Sequence, residues 1–204
     1  MQPTLLTCVV TRDDERALRF AERAGAAAFM IVLTAAAAQI SIPVPFTPVP
    51  FTLQPMVVLV GGAVLGSRLG MTSQLLYLAL GIAGVPLFAA SPVLPQGVAR
   101  LLGPTGGYLL SYPAAAFVTG WLAERGFDRK YPSSFVAMLA GLAVIFAGGV
   151  CWLALFVAPA RGFAGAVAAG LTPFIVPDLL KLVLAAGAMP ALWRITGRPN
   201  TKTY

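Results

Sequence analysis

Apolar residues fill six runs of the chain, which are separated by short polar, basic or proline-rich segments. The runs cover residues 25–40, 53–66, 69–85, 108–123, 135–157 and 174–195. Because a membrane-spanning helix needs about 20 predominantly apolar residues, runs of this length and number predict six transmembrane helices. The second run is short for a crossing, so we expect its ends to use flanking residues. The predicted fold class is therefore all-α, a polytopic six-helix membrane bundle.

One domain, residues 25–196, holds all six runs between two polar tails. Residues 1–24 carry acidic and basic side chains at spacings that suit an amphipathic surface helix, and residues 197–204 form a basic tail. A signal peptide is the alternative for the N-terminal segment, but its charged region would be unusually long and acidic. We therefore expect the first apolar run to be retained as a helix.

The composition supports a membrane protein and argues against several other classes. Of the 204 residues, 58% are hydrophobic and 10% charged, with a mean hydropathy of +0.85; soluble domains carry roughly a quarter charged residues. The net charge of +7 does not indicate a nucleic-acid partner, because the basic residues lie between apolar runs and form no aromatic-interleaved stripe. The chain has no histidine, and Cys8 and Cys151 lie far apart in sequence, so no metal, cofactor or histidine-based catalytic site is predicted.

Basic residues are distributed unequally between the two predicted sides of the membrane. Eleven of the fourteen fall on the side of the termini: Arg12, Arg16, Arg19, Arg23, Arg68, Arg125, Arg129, Lys130, Arg194, Arg198 and Lys202. Arg100, Arg161 and Lys181 lie opposite or within the membrane. By the positive-inside rule, both termini are predicted to be cytoplasmic in a multi-pass plasma (inner) membrane protein.

Two unusual loops then fall on the outer side. Residues 41–51, SIPVPFTPVPF, contain four prolines, which cannot continue a helix and favour a rigid extended path. Such a loop suits a cap over a pocket, although an ordinary rigid connector would have the same composition. Residues 86–107 contain a GPTGG segment with the backbone freedom for an unusual path. It is not a phosphate-binding P-loop, because the Gly-Lys-Ser/Thr ending is absent.

An acid and a base lie at the start of the sixth run, beneath those loops. Asp178 and Lys181 are three residues apart and share a helix face. Ionisable groups at membrane depth are costly and usually mark a substrate or ion path; the alternative is a helix-end pair that reaches the interface. Arg100 could pair with an anion, and aromatic walls are predicted from Phe46, Phe51, Phe88 and Tyr108. The set suits a small ligand with an apolar body, a hydrogen-bonding head and a carboxylate.

Three motifs in the same order resemble the BioY family, the biotin-specific substrate-binding subunits (S components) of energy-coupling factor transporters. They are IPVPFTPVPFTLQ at 42–54, LGPTGGY at 102–108 and PDLLK at 177–181. The resemblance implies a six-helix bundle in the lipid bilayer that binds biotin from outside. It also implies a transmembrane coupling subunit and two ATP-hydrolysing subunits as partners.

The resemblance also implies that Asp178 and Lys181 are ligands of biotin. The chain departs from the family at residues 89–96, AASPVLPQ, where many members are glycine-rich and a polar side chain often reaches biotin. Ser91, Gln96 and Arg100 are therefore the candidates for the head group and the carboxylate.

Other functions are compatible with the residues. The S component of another vitamin-like ligand is the alternative within the receptor class. An intramembrane enzyme would have only Asp178 as an acid or base, with no partner acid, histidine or metal set. A structural subunit would bind no ligand. The sequence leaves open whether the protein works alone, as a homo-oligomer or with an energy-coupling module.

The predicted topology can be tested by labelling cysteines in intact cells. In a variant without Cys8 and Cys151, an impermeant thiol reagent should label a cysteine introduced at Ser91 and not one introduced at Ser133, because the loop 86–107 is predicted to be external. Labelling of the Ser133→Cys variant and not of the Ser91→Cys variant would invert the predicted orientation.

Overall fold

The structure is a computed structural model that describes residues 16–90 and 95–196, and it is mostly helical, as predicted. Its elements in chain order are α1 (Arg16–Gln39), β1 (Ser41–Ile42), β2 (Phe51–Thr52), α2 (Gln54–Leu65), α3 (Ser67–Ile82), α4 (Val98–Leu102), α5 (Gly106–Ala123), α6 (Tyr131–Gly170), a 3-10 turn (Thr172–Phe174) and α7 (Ile175–Thr196). The only β-structure in the described ranges is the two-residue pair β1–β2.

Three helical stretches of the described chain are long and apolar enough to cross a membrane: Leu18–Gln39, Tyr131–Phe156 and Gly162–Ile195. The helix α2 is apolar but has only 12 residues. Large apolar side chains such as Leu155, Leu184 and Ile195 are exposed on the outside of the bundle. A broad exposed apolar surface of this kind is typical of a protein that contacts lipid.

Two predicted boundaries differ from the structure. The helix α1 begins at Arg16, so it includes residues that the sequence assigned to the tail. The small residues of 158–171 indicate a connector between the fifth and sixth apolar runs, but in the structure α6 continues to Gly170 with one break at Gly162 (φ 64°, ψ −178°). Alanine is the strongest helix former, and the alanine-rich composition of this segment therefore favours a helix on both sides of the break.

The helix α5 lies at the centre of the bundle and packs against α2, α3 and α6. Its buried face consists mainly of small residues, including Ala115, Ala116 and Gly120. Inside a bilayer the hydrophobic effect does not drive helices together, so their association depends on close packing. Small residues favour this packing because they allow the helix backbones to approach closely. Around this centre the core is filled by larger side chains, among them Leu59, Tyr77, Met138, Leu153 and Leu182.

Long-range hydrogen bonds connect the elements at each end of the bundle. At one end, Ser67 donates from its backbone N–H and its hydroxyl to Glu124 Oε1, both at 2.8 Å, and Trp193 Nε1 donates to Asp128 Oδ2 at 2.5 Å. These bonds bring together the α2–α3 junction, the α5–α6 connection and the end of α7. We call this the basic end, because it contains Arg68, Arg125, Arg129, Lys130 and Arg194.

The opposite end is formed by the loops between α1 and α2, α3 and α5, and α6 and α7. Tyr108 donates to the carbonyl oxygen of Gly170 at 2.8 Å, and Trp152 Nε1 donates to that of Gly103 at 3.0 Å. Asp178 and Lys181 lie in the first turns of α7 at this end. Arg100 and Lys181 thus lie at the end of the bundle opposite to Arg68, Arg125, Arg129, Lys130 and Arg194.

Close packing at the centre predicts that Gly120→Ala destabilises the fold. A Cβ atom at Gly120 would lie 2.5 Å from both the carbonyl carbon of Gly66 and the backbone nitrogen of Ser67, and backbone atoms cannot turn aside as a side chain can. We expect a loss of about 1–3 kcal/mol, typical of overpacking, seen as a lower Tm in detergent. The control is Gly25→Ala, where a Cβ meets no atom within 4 Å. An equal Tm for both variants would contradict the packing argument.

Candidate functional site

The proline-rich segment forms a short hairpin that closes one wall of the site. Ser41 pairs with Thr52 and Ile42 with Phe51 in antiparallel register, so the segment 41–52, which we call the strap, leaves and returns to the same place. Val49 is buried and its N–H donates to Thr47 Oγ1 at 3.1 Å. Phe46, predicted as a wall of the pocket, is 61% exposed and lies on the outside.

Asp178 and Lys181 form a salt bridge on the first turns of α7. Lys181 Nζ lies 2.7 Å from Asp178 Oδ1 and donates a second hydrogen bond, also 2.7 Å long, to the carbonyl oxygen of Thr52. Asp178 is only 4% exposed. One ammonium therefore joins α7 to the strap and compensates the buried carboxylate, with one of its three N–H donors still unused.

Arg100 lies at the other side of the site, on the short helix α4, and is 2% exposed. Its Nε donates to the carbonyl oxygen of Pro95 at 2.8 Å, and Nη2 donates to that of Ala89. Among the described residues no carboxylate lies within 4.0 Å of the guanidinium. Burial lowers the pKa of Arg100 from its ordinary value. A buried cation without a counter-ion is costly, so this group is suited to receive an anion.

Two small cavities connect these charged groups. Both are lined by Val49, Pro50, Thr52, Tyr108 and Tyr112. The first extends to Arg100, Thr105 and Phe88, and the second to Asp178, Lys181 and Phe174. Because they share five lining residues, we treat them as two parts of one elongated site, with a cation at one end and an acid–base pair at the other.

The cavities are too small for a vitamin in this conformation. Each has a volume of about 40 Å³, whereas ligand pockets typically measure ~300–1,000 Å³. The strap and the two tyrosines form the shared wall, so a ligand that reaches both ends must displace at least one of them. The structure therefore represents a closed form of the site.

Hydrogen bonds hold most of the polar side chains around the site in place. Gln54 Nε2 donates to the Tyr77 hydroxyl at 2.8 Å, and this hydroxyl donates to the carbonyl oxygen of Leu87 at 3.0 Å. Thr105 differs from them, because its buried Oγ1 has no hydrogen-bond partner in the described chain. A buried hydroxyl without a partner is unfavourable, and Thr105 lines the same cavity as Arg100.

The GPTGG segment positions Thr105 and Tyr108 through close backbone packing. A Cβ atom at Gly107 would lie 2.1 Å from Trp152 Cβ and 2.5 Å from the carbonyl oxygen of Gly148. The absence of a side chain therefore allows the start of α5 to contact α6. This contact fixes Tyr108 against the end of α6, where its hydroxyl donates to the carbonyl oxygen of Gly170.

The structure brings together most of the predicted site residues. Asp178, Lys181, Arg100, Tyr108 and Phe88 line the two cavities. Phe51 packs against Phe174 beside the second cavity, with ring centroids 4.5 Å apart.

Of the two remaining candidates, only Gln96 lies in the described part of the chain. Gln96 is exposed and donates to the carbonyl oxygens of Phe88 and Ala89, at 3.3 and 3.5 Å; it lines neither cavity. Ser91 lies outside the described residues. Gln74 Nε2 donates to Thr34 Oγ1 of α1 at 3.3 Å, an interhelical hydrogen bond.

Sequence reasoning missed Thr105, Tyr112 and the carbonyl of Thr52. Thr105 is the one polar residue of the GPTGG segment, which was a usable signal. Tyr112 lies one helical turn after Tyr108 on the same face of α5, so it too could have been found. The Thr52 carbonyl could not, because backbone acceptors leave no mark in a sequence.

Comparisons with known proteins relate the chain to biotin transporters. A family model described as the BioY family matches residues 12–198. The chain is 43% identical over 158 residues to a protein of Pyrococcus horikoshii described as "Probable biotin transporter BioY", covering 78% of this chain and 88% of that protein. It is 40% identical to the biotin transporter BioY of Thermotoga maritima (71% and 81% covered) and 35% identical to that of Rhizobium etli (69% and 76%).

A solved structure has the same fold. It is the crystal structure of the S-component for biotin from an ECF-type ABC transporter, which superposes with a TM-score of 0.77 at 25% sequence identity and covers 89% of this chain and 95% of that chain. The similarity therefore extends over nearly the whole of both molecules.

Proposed function

The chain belongs to the BioY family, and from this membership we propose that it binds biotin in the elongated cavity between Arg100 and the Asp178–Lys181 pair. Its function is biotin uptake, as the substrate-binding membrane subunit of a transporter. It is a transport component and not an enzyme. The single observation that carries the proposed binding mode is the buried guanidinium of Arg100, which has no carboxylate partner within the described chain.

Biotin has two polar ends of different chemistry, and the site has two matching ends. Its valerate chain ends in a carboxylate, which a guanidinium can bind through charge-assisted hydrogen bonds. In the proposed mode this carboxylate lies next to Arg100, with the unpartnered hydroxyl of Thr105 as a further donor. Binding would then satisfy two buried groups that have a cost in the closed form.

The ureido head lies at the other end in this proposal. Asp178 Oδ1 accepts from Lys181, and Oδ2 provides an acceptor for a ureido N–H. The unused N–H of Lys181 can donate to the ureido oxygen. Tyr108, Tyr112 and Phe174 line the intervening walls and would contact the apolar ring system.

Access requires the strap to move in the proposed mechanism. The bond from Lys181 to Thr52 holds the strap over the second cavity. When the ureido oxygen replaces the Thr52 carbonyl as an acceptor for Lys181, the strap loses one of its attachments. Ligand entry and strap release would thus be coupled through one ammonium.

We propose six membrane crossings, made by α1, α2, α3, α5, the first part of α6, and α7. The helix α2 has 12 residues and spans only about 18 Å at 1.5 Å per residue, so the strap completes this crossing. Non-helical backbone is tolerated at membrane depth where protein covers it, and the strap packs on the site. The basic end faces the cytoplasm by the positive-inside rule, which places the strap and the biotin site outside.

The partners follow from the class of transporter. An S component has no nucleotide motif of its own, so we propose that this subunit acts with a transmembrane coupling subunit and two ATP-hydrolysing subunits.

Asp178→Asn should weaken biotin binding. The change keeps the shape of the side chain but removes the charge that strengthens the bond to the ureido N–H, which is worth on the order of 1.5–3 kcal/mol, or about tenfold to over a hundredfold in affinity. Calorimetry on the detergent-purified chain measures it. The matched control is Glu124→Gln, which alters a carboxylate at the basic end. Unchanged biotin affinity in a folded Asp178→Asn variant would reduce Asp178 to an anchor for Lys181.

Arg100→Met should weaken binding of biotin more than that of a neutral biotin amide. The methionine keeps an apolar stem in the cavity wall but provides no guanidinium for the carboxylate, so we expect the ratio of the two affinities to change by about tenfold or more. Lys181→Met serves as the contrast, because its loss should weaken both ligands alike. If Arg100→Met instead weakens binding of biotin and of the amide equally, Arg100 only stabilises the loop and does not bind the carboxylate.

A further inference from the structure

A second cleft lies at the basic end, remote from the biotin site. It is lined by Arg129, Lys130, Tyr131, Pro190, Trp193 and Arg194 and has a volume of about 860 Å³. The α5–α6 connection and the first turn of α6 form one side, and the last turns of α7 form the other. None of these residues contacts the site between Arg100 and Asp178.

The floor of the cleft is ordered by buried contacts. Trp193 is buried and donates from Nε1 to Asp128 Oδ2 at 2.5 Å. The guanidinium carbon of Arg129 lies 4.2 Å from the centroid of the Trp193 ring. This packing fixes the C-terminal part of α7 against the α5–α6 connection, so the cleft keeps its shape.

The charge of the cleft is strongly positive. Three of its six lining residues, Arg129, Lys130 and Arg194, are cations, and none of the six is acidic. Asp128 is buried, and this burial raises the pKa of its carboxyl. Lys130 and Arg194 are exposed, and neither forms a salt bridge in the part of the chain that the structure describes.

Aromatic side chains place this end at a membrane surface. Trp121, Phe127 and Tyr131 are exposed around the α5–α6 connection, and Arg125 stacks on Trp121 with 3.3 Å from the guanidinium carbon to the ring centroid. Exposed aromatic and basic side chains at helix ends are typical of the interface between lipid and water. A cationic cleft at that depth lies level with lipid headgroups.

The geometry points to a binding site for the phosphate headgroup of an anionic phospholipid in this cleft, with Lys130 and Arg194 as its exposed ligands. Basic pockets between transmembrane helices suit such headgroups, and the cytoplasmic leaflet carries anionic lipids. The lower wall, formed by Pro190 and Tyr131, would contact the glycerol and upper acyl region. The chain's own residues 197–204 are a poor occupant, because their side chains include Arg198 and Lys202 and no acid.

The test is native mass spectrometry of the delipidated full chain titrated with phosphatidylglycerol. The variant Lys130→Gln/Arg194→Gln should bind this lipid about thirtyfold more weakly, from about 1 kcal/mol per charge. The matched control, Arg23→Gln/Arg68→Gln, removes two exposed cations that do not line the cleft and should bind within about threefold of the original chain. Unchanged biotin affinity in both variants shows that they are folded and keeps this test separate from the biotin site.

Two further arms identify the ligand. Phosphatidylcholine with the same acyl chains should bind weakly and lose nothing in Lys130→Gln/Arg194→Gln, because it has no net charge. Inorganic phosphate should fail to displace phosphatidylglycerol at equal concentration, since it lacks the contacts with the apolar wall. The proposed site is wrong if both double variants lose the same affinity for phosphatidylglycerol. It is also wrong if the original chain binds phosphatidylglycerol and phosphatidylcholine equally. Displacement of phosphatidylglycerol by inorganic phosphate would show that the cleft binds free phosphate and not a lipid headgroup.

Discussion

The energetic cost of charge within an apolar bundle determines how this molecule is built at its binding end. Lys181 compensates Asp178 and holds the Thr52 carbonyl, both at 2.7 Å. Breaking a buried pair by removing one partner costs about 3–5 kcal/mol, so the position of the strap, the start of α7 and the state of the acid all depend on this ammonium. A ligand that offers Lys181 another acceptor can exchange one of these bonds for another without exposing a bare charge.

The cost of burying a charge is only partly compensated at Arg100. Backbone carbonyls of Pro95 and Ala89 accept from two of its nitrogens, which solvates the guanidinium but leaves its charge without a counter-ion among the described residues. The pair at Asp178 is internally neutral, and Arg100 is not. A ligand with one negative charge at one end and a neutral hydrogen-bonding head at the other therefore matches both ends of the site.

The sequence predicted the site better than it predicted the path of the backbone. Asp178 and Lys181 were identifiable because an acid and a base in an apolar run have few structural explanations, and the prolines of residues 41–51 excluded a helix there. The closure of that segment into a hairpin, with Ser41 opposite Thr52, depends on tertiary contacts that local composition does not encode. The helix over 158–170 was missed because small residues occur in connectors and in closely packed helices alike. The two carbonyls that hold Arg100 were likewise invisible, since they belong to the backbone.

Opening the strap costs little of the free energy of ligand binding. Opening must break the Lys181–Thr52 bond and release Val49, but the two-residue strand pair gives the strap few other attachments. Four prolines restrict the released segment to few conformations, so little chain entropy separates its open and closed forms. Because ordering a flexible loop reduces affinity, a pre-ordered strap leaves more of the interaction energy of the ligand available for binding. The proline-rich composition is therefore explained by the combination of a cap that must move and a small ligand that must be held tightly.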